Sequence, residues 1–239
     1  MDKTDPFAST IPAPTAARPL LGLTVLAIED SRYACEALRL LCLRSGARIR
    51  RADCLRSARR HLQVYRPTVV IVDIGLPDGN GSDLIADLAA AEPRVDVILA
   101  TSGDPDGEEL ARAKGADGYL PKPVTSLAAF QQTILGNLPA ERRPLGLREV
   151  PDEEIAPDPM AFQDDMAHIA DVLNDTTDGT VLDYVAQFIG GVARSAQDKA
   201  LEQAAEALGK ARASGASVQQ ETTKLASLVQ QRLTQKIAI

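Results

Sequence analysis

Strand-like and helix-like segments alternate five times between residues 23 and 137, and this alternation decides the class of fold. Apolar runs stand at LTVLAI (23–28), TVVIVD (68–73), VDVILAT (95–101) and DGYLP (117–121). Runs that are apolar throughout, instead of at every second residue, belong to strands buried on both faces. ARIRRAD (47–53) reads as a weaker fifth strand. Helical patterns lie between them at 32–45, 55–65, 81–91, 106–115 and 125–137; in the first, Ala34, Leu38, Leu41 and Cys42 share one side. The expected fold is α/β: a five-stranded, parallel, doubly wound sheet with helices on both faces.

In such a sheet, ligands gather at the carboxyl ends of the strands. Glu29 and Asp30 follow the first strand, Asp73 ends the third, Thr101 and Ser102 end the fourth, and Lys122 follows the fifth. One edge thus receives three carboxylates, a hydroxyl and an ammonium. Clustered carboxylates repel one another unless a cation joins them. Hard oxygen ligands suit Mg²⁺. A carboxylate is also a nucleophile towards phosphorus, giving an aspartyl phosphate. Phosphoryl transfer then needs charge neutralisation and alignment, which Mg²⁺, an ammonium and a hydroxyl supply.

These residues sit in pieces that resemble a known family. The acidic pair in VLAIEDS, the aspartate in VVIVDIGLPDGNG, the strand end ILATSG, and DGYLPKP stand in the order found in receiver domains of bacterial two-component response regulators. Residues 23–137 carry the resemblance, about half of the chain. It implies a flavodoxin-like fold and a role for each matching position. Asp73 would be the phosphoacceptor. Glu29, Asp30 and Asp73 would hold Mg²⁺, helped by the backbone carbonyl of Gly75. Thr101 and Lys122 would contact the phosphoryl group, and Tyr119 would be an aromatic switch following Thr101. The Lys122–Pro123 peptide would be cis. A sensor histidine kinase or phosphotransfer protein would be the donor. The switched surface would be formed by the fourth helix, fifth strand and fifth helix. Glu at the first acidic place is an ordinary variant of the family pattern.

Prolines divide the rest. Residues 1–20 (Pro6, Pro12, Pro14, Pro19) read as a disordered arm, 21–138 as the receiver, 139–159 (Pro139, Pro144, Pro151, Pro157, Pro159) as a linker, and 160–239 as a helical output or dimerisation domain, a bundle or hairpin. Residues 151–239 hold 14 acidic and 7 basic side chains, whereas 1–150 hold 19 of each. With no basic footprint in the tail, direct contact with nucleic acid is not expected. Aromatics make up 3% and Trp is absent, which disfavours a base-stacking platform. Cys35, Cys42 and Cys54, an odd number, read as reduced thiols of a cytoplasmic protein, and two His without a CxxC disfavour zinc. No apolar run reaches the roughly 20 residues of a membrane span, and the N-terminus lacks a secretory h-region. The arginines between Arg48 and Arg66 read as a solvated face.

The tail shows four helical stripes. Met166, Ile169 and Leu173 mark the first, and Val181, Val185, Phe188, Ile189 and Val192 the second, which Thr177 or Asp178 would cap. The third runs from about 196 to 213. The fourth carries Val218, Leu225, Leu228 or Val229, Leu233 and Ile237, with Ser217 and Gln220 as a capping box. Narrow stripes suggest that a second copy completes the burial, giving a homodimer; the switched receiver surface would alter contact with the tail or with an unidentified output protein. Two catalytic alternatives attach to the tail. His168 would accept phosphoryl groups, but it lacks the expected Lys three residues on, having Asp171 there. Asp183 and Gln187, at i and i+4, would orient a water against an aspartyl phosphate. A further alternative is a scaffold with a vestigial acidic pocket.

Overall fold

Aliphatic side chains on both faces of the strands bury the centre of the sheet, and the surrounding helices follow from that. The computed structural model describes residues 13–104, 106–145, 149–150, 152–175 and 179–235. Five strands, β1 (Thr24–Ile28), β2 (Arg48–Ala52), β3 (Val69–Asp73), β6 (Val97–Ser102) and β7 (Gly118–Pro121), form a parallel sheet in the order β2-β1-β3-β6-β7. β4 (Gly75–Leu76) and β5 (Gly79–Asn80) form a two-stranded antiparallel ribbon just after β3. Strand order reverses between β1 and β3, so the crevice of a doubly wound sheet opens at their carboxyl ends.

Alternate residues of each strand feed opposite cores. Val25, Ala27, Ile71 and Leu99 pack with α1 (Arg32–Ser45) and α5 (Leu127–Asn137). Leu26, Val70, Val72 and Ile98 pack with α2 (Leu55–Val64), α3 (Gly81–Ala90) and α4 (Gly107–Ala113). β3 is buried at every residue, whereas β2, at the edge, buries only Ala52. That is why β2 reads weakly in the sequence. Leu20, assigned to the arm by its prolines, is fully buried against the first of these cores. The expected linker also packs in part. Ile155 joins the same core, Ile155 N donates to Thr125 O at 2.9 Å, and Leu127 N donates to Glu153 O at 3.0 Å.

Four helices complete the chain: α6 (Pro159–Asp175), α7 (Gly179–Ser195), α8 (Lys199–Ala213) and α9 (Gln219–Thr234). Met166, Ile169, Val185, Ile189, Leu201, Leu208, Leu225 and Val229 close a core of their own. The apolar stripes thus cover one another within one chain, which removes the reason for expecting a second copy to cover them. α8 starts at Lys199, later than its Ala-rich pattern suggests, because Asp198 caps it by accepting from Ala200 N and Leu201 N, both at 3.2 Å. The expected Ser217–Gln220 capping box is corrected. α9 starts at Gln219 with Val218 as its N-cap and no side-chain cap bond, so Ser217 stands one residue too early. The proposed caps Thr177 and Asp178 lie outside the described residues. Both α6 and α7 pack against α1. Among the described residues no helix is long and apolar enough to cross a membrane.

Candidate functional site

Two strand ends, those of β1 and β3, place the acidic groups together. One carboxylate oxygen from each of Glu29, Asp30 and Asp73 lies within 4.8 Å of the others. Glu29 and Asp73 are buried, while Asp30 is partly exposed. The Lys122 ammonium, carried past the end of β7, sits 2.7 Å from Asp73 Oδ2 and 2.7 Å from Glu29 Oε2. The second contact is close in distance but out of line for a hydrogen bond from the ammonium. Gly75 N donates to Asp73 Oδ1 at 3.2 Å. Thr101 pairs in register with Asp73 across β3 and β6. Its Oγ1 is buried with no hydrogen-bond partner among the described residues, as an atom left for a ligand oxygen would be. The Lys122–Pro123 peptide is cis.

The electrostatics follow from burial and crowding. Burial, then the Asp73 charge, raises the Glu29 carboxyl well above its ordinary range. The same two causes push Asp30 up to about 7, although Lys122 and a hydrogen bond from Tyr184 act against them. For Lys122, burial acts to lower the pKa, yet Asp73 and Glu29 outweigh it and raise it, so the ammonium stays charged. One buried cation for three carboxylates leaves the cluster short of positive charge. An oxygen-only set with a partly open member fits a hard divalent ion.

Tyr119 lies to one side. Its hydroxyl donates to Ser102 O at 3.0 Å and stands 3.4 Å from Asp104 O, bridging the loop that leaves β6. Of the tail residues, His168 is exposed, with its ring edge-on to Phe188 and its Nε2 3.4 Å from the Tyr184 hydroxyl. Asp183 is exposed and bound through both oxygens to Arg212 at 2.8 Å, which lowers its pKa. Gln187 enters the site: a Cβ at Gly75 would overlap its amide.

The sequence reading missed how far the tail enters the crevice. A cavity of about 300 Å³ is lined both by Asp73 and Lys122 and by Gln187, Gly191 and Arg194 of α7. The Tyr184 hydroxyl donates to Asp30 Oδ2 at 3.2 Å, and burial, then the Asp30 charge, raises the tyrosine's pKa. Asp165 of α6 caps α1: it accepts from Ser31 Oγ at 2.7 Å, Arg32 N at 2.8 Å and Tyr33 N at 3.1 Å. The available signal was a stripe of Tyr184, Gln187, Gly191 and Arg194 at helical spacing, polar or glycine where the opposite face is apolar.

Residues 25–134 match the family model of the response regulator receiver domain, and this part of the chain is a receiver domain. No family model matches the helical region that follows it. The chain is 31% identical over 99 residues to the KDP operon transcriptional regulatory protein KdpE of Escherichia coli, covering 41% of this chain and 44% of that protein. It is 32% identical over 117 residues to the virulence transcriptional regulatory protein PhoP of Salmonella typhimurium, covering 47% and 52%. The chain thus spans about half the length of the curated relatives it matches. Among solved structures it aligns with the Vibrio cholerae chemotaxis protein CheY4 at 23% identity and a TM-score of 0.44, over 48% of this chain and 98% of that one.

These relatives correct one expectation. The tail's acidity predicts no direct contact with nucleic acid, but the relatives are transcriptional regulatory proteins, and the exclusion does not stand. Its physical weakness is that net charge counts a whole segment, whereas a nucleic-acid contact needs only a local basic surface. Arg48, Arg50 and Arg51 are exposed on the edge strand β2.

Proposed function

We propose that the chain is a response regulator that takes a phosphoryl group on Asp73 and changes the contacts of its helical tail in consequence. The observation that carries the proposal is the Lys122 ammonium set 2.7 Å from both Asp73 and Glu29, beside a third carboxylate, at the switch point of the sheet. In this reading the receiver spans residues 21–138, and residues 160–239 are the output.

One Asp73 oxygen attacks phosphorus, an O–P bond forms, and the donor's bond to phosphorus breaks with its electron pair leaving on the donor. Glu29, Asp30, Asp73 and the Gly75 carbonyl would hold Mg²⁺. When bound, this ion supplies charge neutralisation for the crowded oxygens. The Lys122 ammonium pairs with a phosphoryl oxygen, and the unpartnered Thr101 hydroxyl gives it a hydrogen bond. Tyr119, tied to the loop after β6, follows the movement of Thr101. The chain thereby catalyses its own modification but turns over no small substrate.

The test is incubation of the full chain with acetyl phosphate and Mg²⁺. Intact mass should show one added phosphoryl group, and none in Asp73→Asn. Uptake that survives this substitution removes the proposal.

A further inference from the structure

The acceptor cavity draws its wall from two parts of the chain, and their charges differ. The strand ends bring Glu29, Asp30 and Asp73 against the single ammonium of Lys122. Helix α7 brings one cation among the described lining residues, Arg194. Its guanidinium lies directly on Gly103, two residues past Thr101, where a Cβ would overlap it. Among the described residues the Nε of Arg194 is buried with no hydrogen-bond partner, and its Nη1 stands 3.8 Å from Glu202 on α8, a loose ion pair. A buried N–H left unpaired is uncommon in folded proteins and calls for an acceptor.

The helix is shaped to bring this group close. Gly190 and Gly191 stand at the crossing: a Cβ on Gly191 would come within 3.8 Å of Lys122 Nζ, and one on Gly190 within 3.4 Å of Arg194 Nη2. At these distances an added methyl would make ordinary van der Waals contact; the two glycines keep the face of α7 over the acceptor free of larger side chains. A phosphoryl group adds negative charge and three acceptor oxygens to a cavity that is already short of cations. A guanidinium presents a planar fork of donors matched to such oxygens.

We propose that Arg194 binds the phosphoryl group of phosphorylated Asp73 from the tail, so that α7 closes more tightly on the receiver once the group is present. The inference rests on Asp73 as the phosphoacceptor. Its ligand is a tetrahedral phosphoryl oxyanion, and its consequence is that phosphorylation is read inside the same chain.

Hydrogen exchange of α7 in the full-length chain tests this, before and after acetyl phosphate with Mg²⁺, with the phosphorylated fraction followed by intact mass. In the wild-type chain, phosphorylation should slow exchange of α7 about tenfold, the scale of one charge-assisted contact. Arg194→Gln should lose that slowing and Arg194→Lys should recover part of it. Loss of phosphoryl uptake in Arg194→Gln that Arg194→Lys restores also supports the inference. Phosphorylation that slows α7 equally in wild type and Arg194→Gln overturns it, as does a loss of uptake that Arg194→Lys does not restore. Absence of phosphoryl from the wild-type chain defeats the phosphoacceptor reading itself and this inference with it, a result distinct from the others.

Discussion

Asp30 is the most exposed member of the acidic cluster, and its protonation is the residue-scale consequence of the crowding. Burial and the neighbouring Asp73 raise its pKa from 3.8 to about 7. In the metal-free protein the neutral form is therefore the one the fold favours. A raised carboxyl contributes stability that is complete below its unfolded value, near 4, and is lost as pH rises through about 7. Stability in a metal-chelated buffer should fall across that window. Asp30→Asn should remove about one proton's worth of the slope, roughly 1.4 kcal/mol per pH unit. Urea melts from pH 4 to 8 measure it; an unchanged slope in the variant would show that the charge cost is carried elsewhere. At this scale the site was largely legible: Asp73 and Thr101 stand at the ends of strands, Glu29, Asp30 and Lys122 just past them, and a parallel sheet brings all strand ends to one edge. Tyr184 and Arg194 were legible only as members of a polar and glycine stripe on one face of α7, and such a stripe carries no mark of which surface it will meet.

Among the elements, strands buried on both faces announce themselves, and the runs at 23–28, 68–73, 95–101 and 117–121 place β1, β3, β6 and β7 within about two residues. The ribbon at Gly75–Leu76 and Gly79–Asn80 has only two residues a side and no periodicity to read. Helix ends depend on caps that apolar patterns do not show, and α8 is the clear case. Asp198 caps it and also pairs with Arg232 of α9, at 2.6 Å from Oδ2 to Nε. Burial pushes the Asp198 carboxyl up, but the Arg232 contact and two backbone N–H groups bring it below its ordinary value. Its stabilisation is therefore present above the unfolded value and lost as pH falls through the folded one. Asp198→Ala should cost about 2 kcal/mol in urea melts at pH 7, and the deficit should shrink in strong acid. Helix α7 obeys a different constraint. Gly191→Leu should strengthen the isolated helix by up to about 1 kcal/mol, yet the side chain would run into Lys122. Limited proteolysis should find the tail released from the receiver with helical content undiminished, whereas a tail that stays docked would show that the close approach is not required.

At the scale of the whole molecule, the two parts share hydrogen bonds that neither makes alone. The first turn of an α-helix leaves N–H groups unsatisfied. In α1, Ser31 Oγ takes the N–H of Ala34, but those of Arg32 and Tyr33 go to Asp165, which lies 133 residues further along the chain from Arg32. Asp165 is 2% exposed, so water cannot replace it readily. Around it, Arg32 pairs with Asp164 at 2.8 Å and Tyr33 meets Phe162 edge to face at 5.8 Å. The exposed ion pair adds little; the buried cap fixes the tail's position over the acceptor. Nothing local foretells it, since an aspartate inside a helix reads as a surface residue until its partner is known. Removal should therefore separate the parts before it unfolds either. Asp165→Ala strands two N–H groups and the Ser31 hydroxyl and should weaken docking by about 3 kcal/mol. Calorimetry should then resolve the wild-type transition into a receiver and a tail component, with Arg32→Ala as the control that leaves it single. A single unchanged transition in Asp165→Ala would mean that the remaining contacts of α6 and α7 with the receiver couple the two parts without this cap.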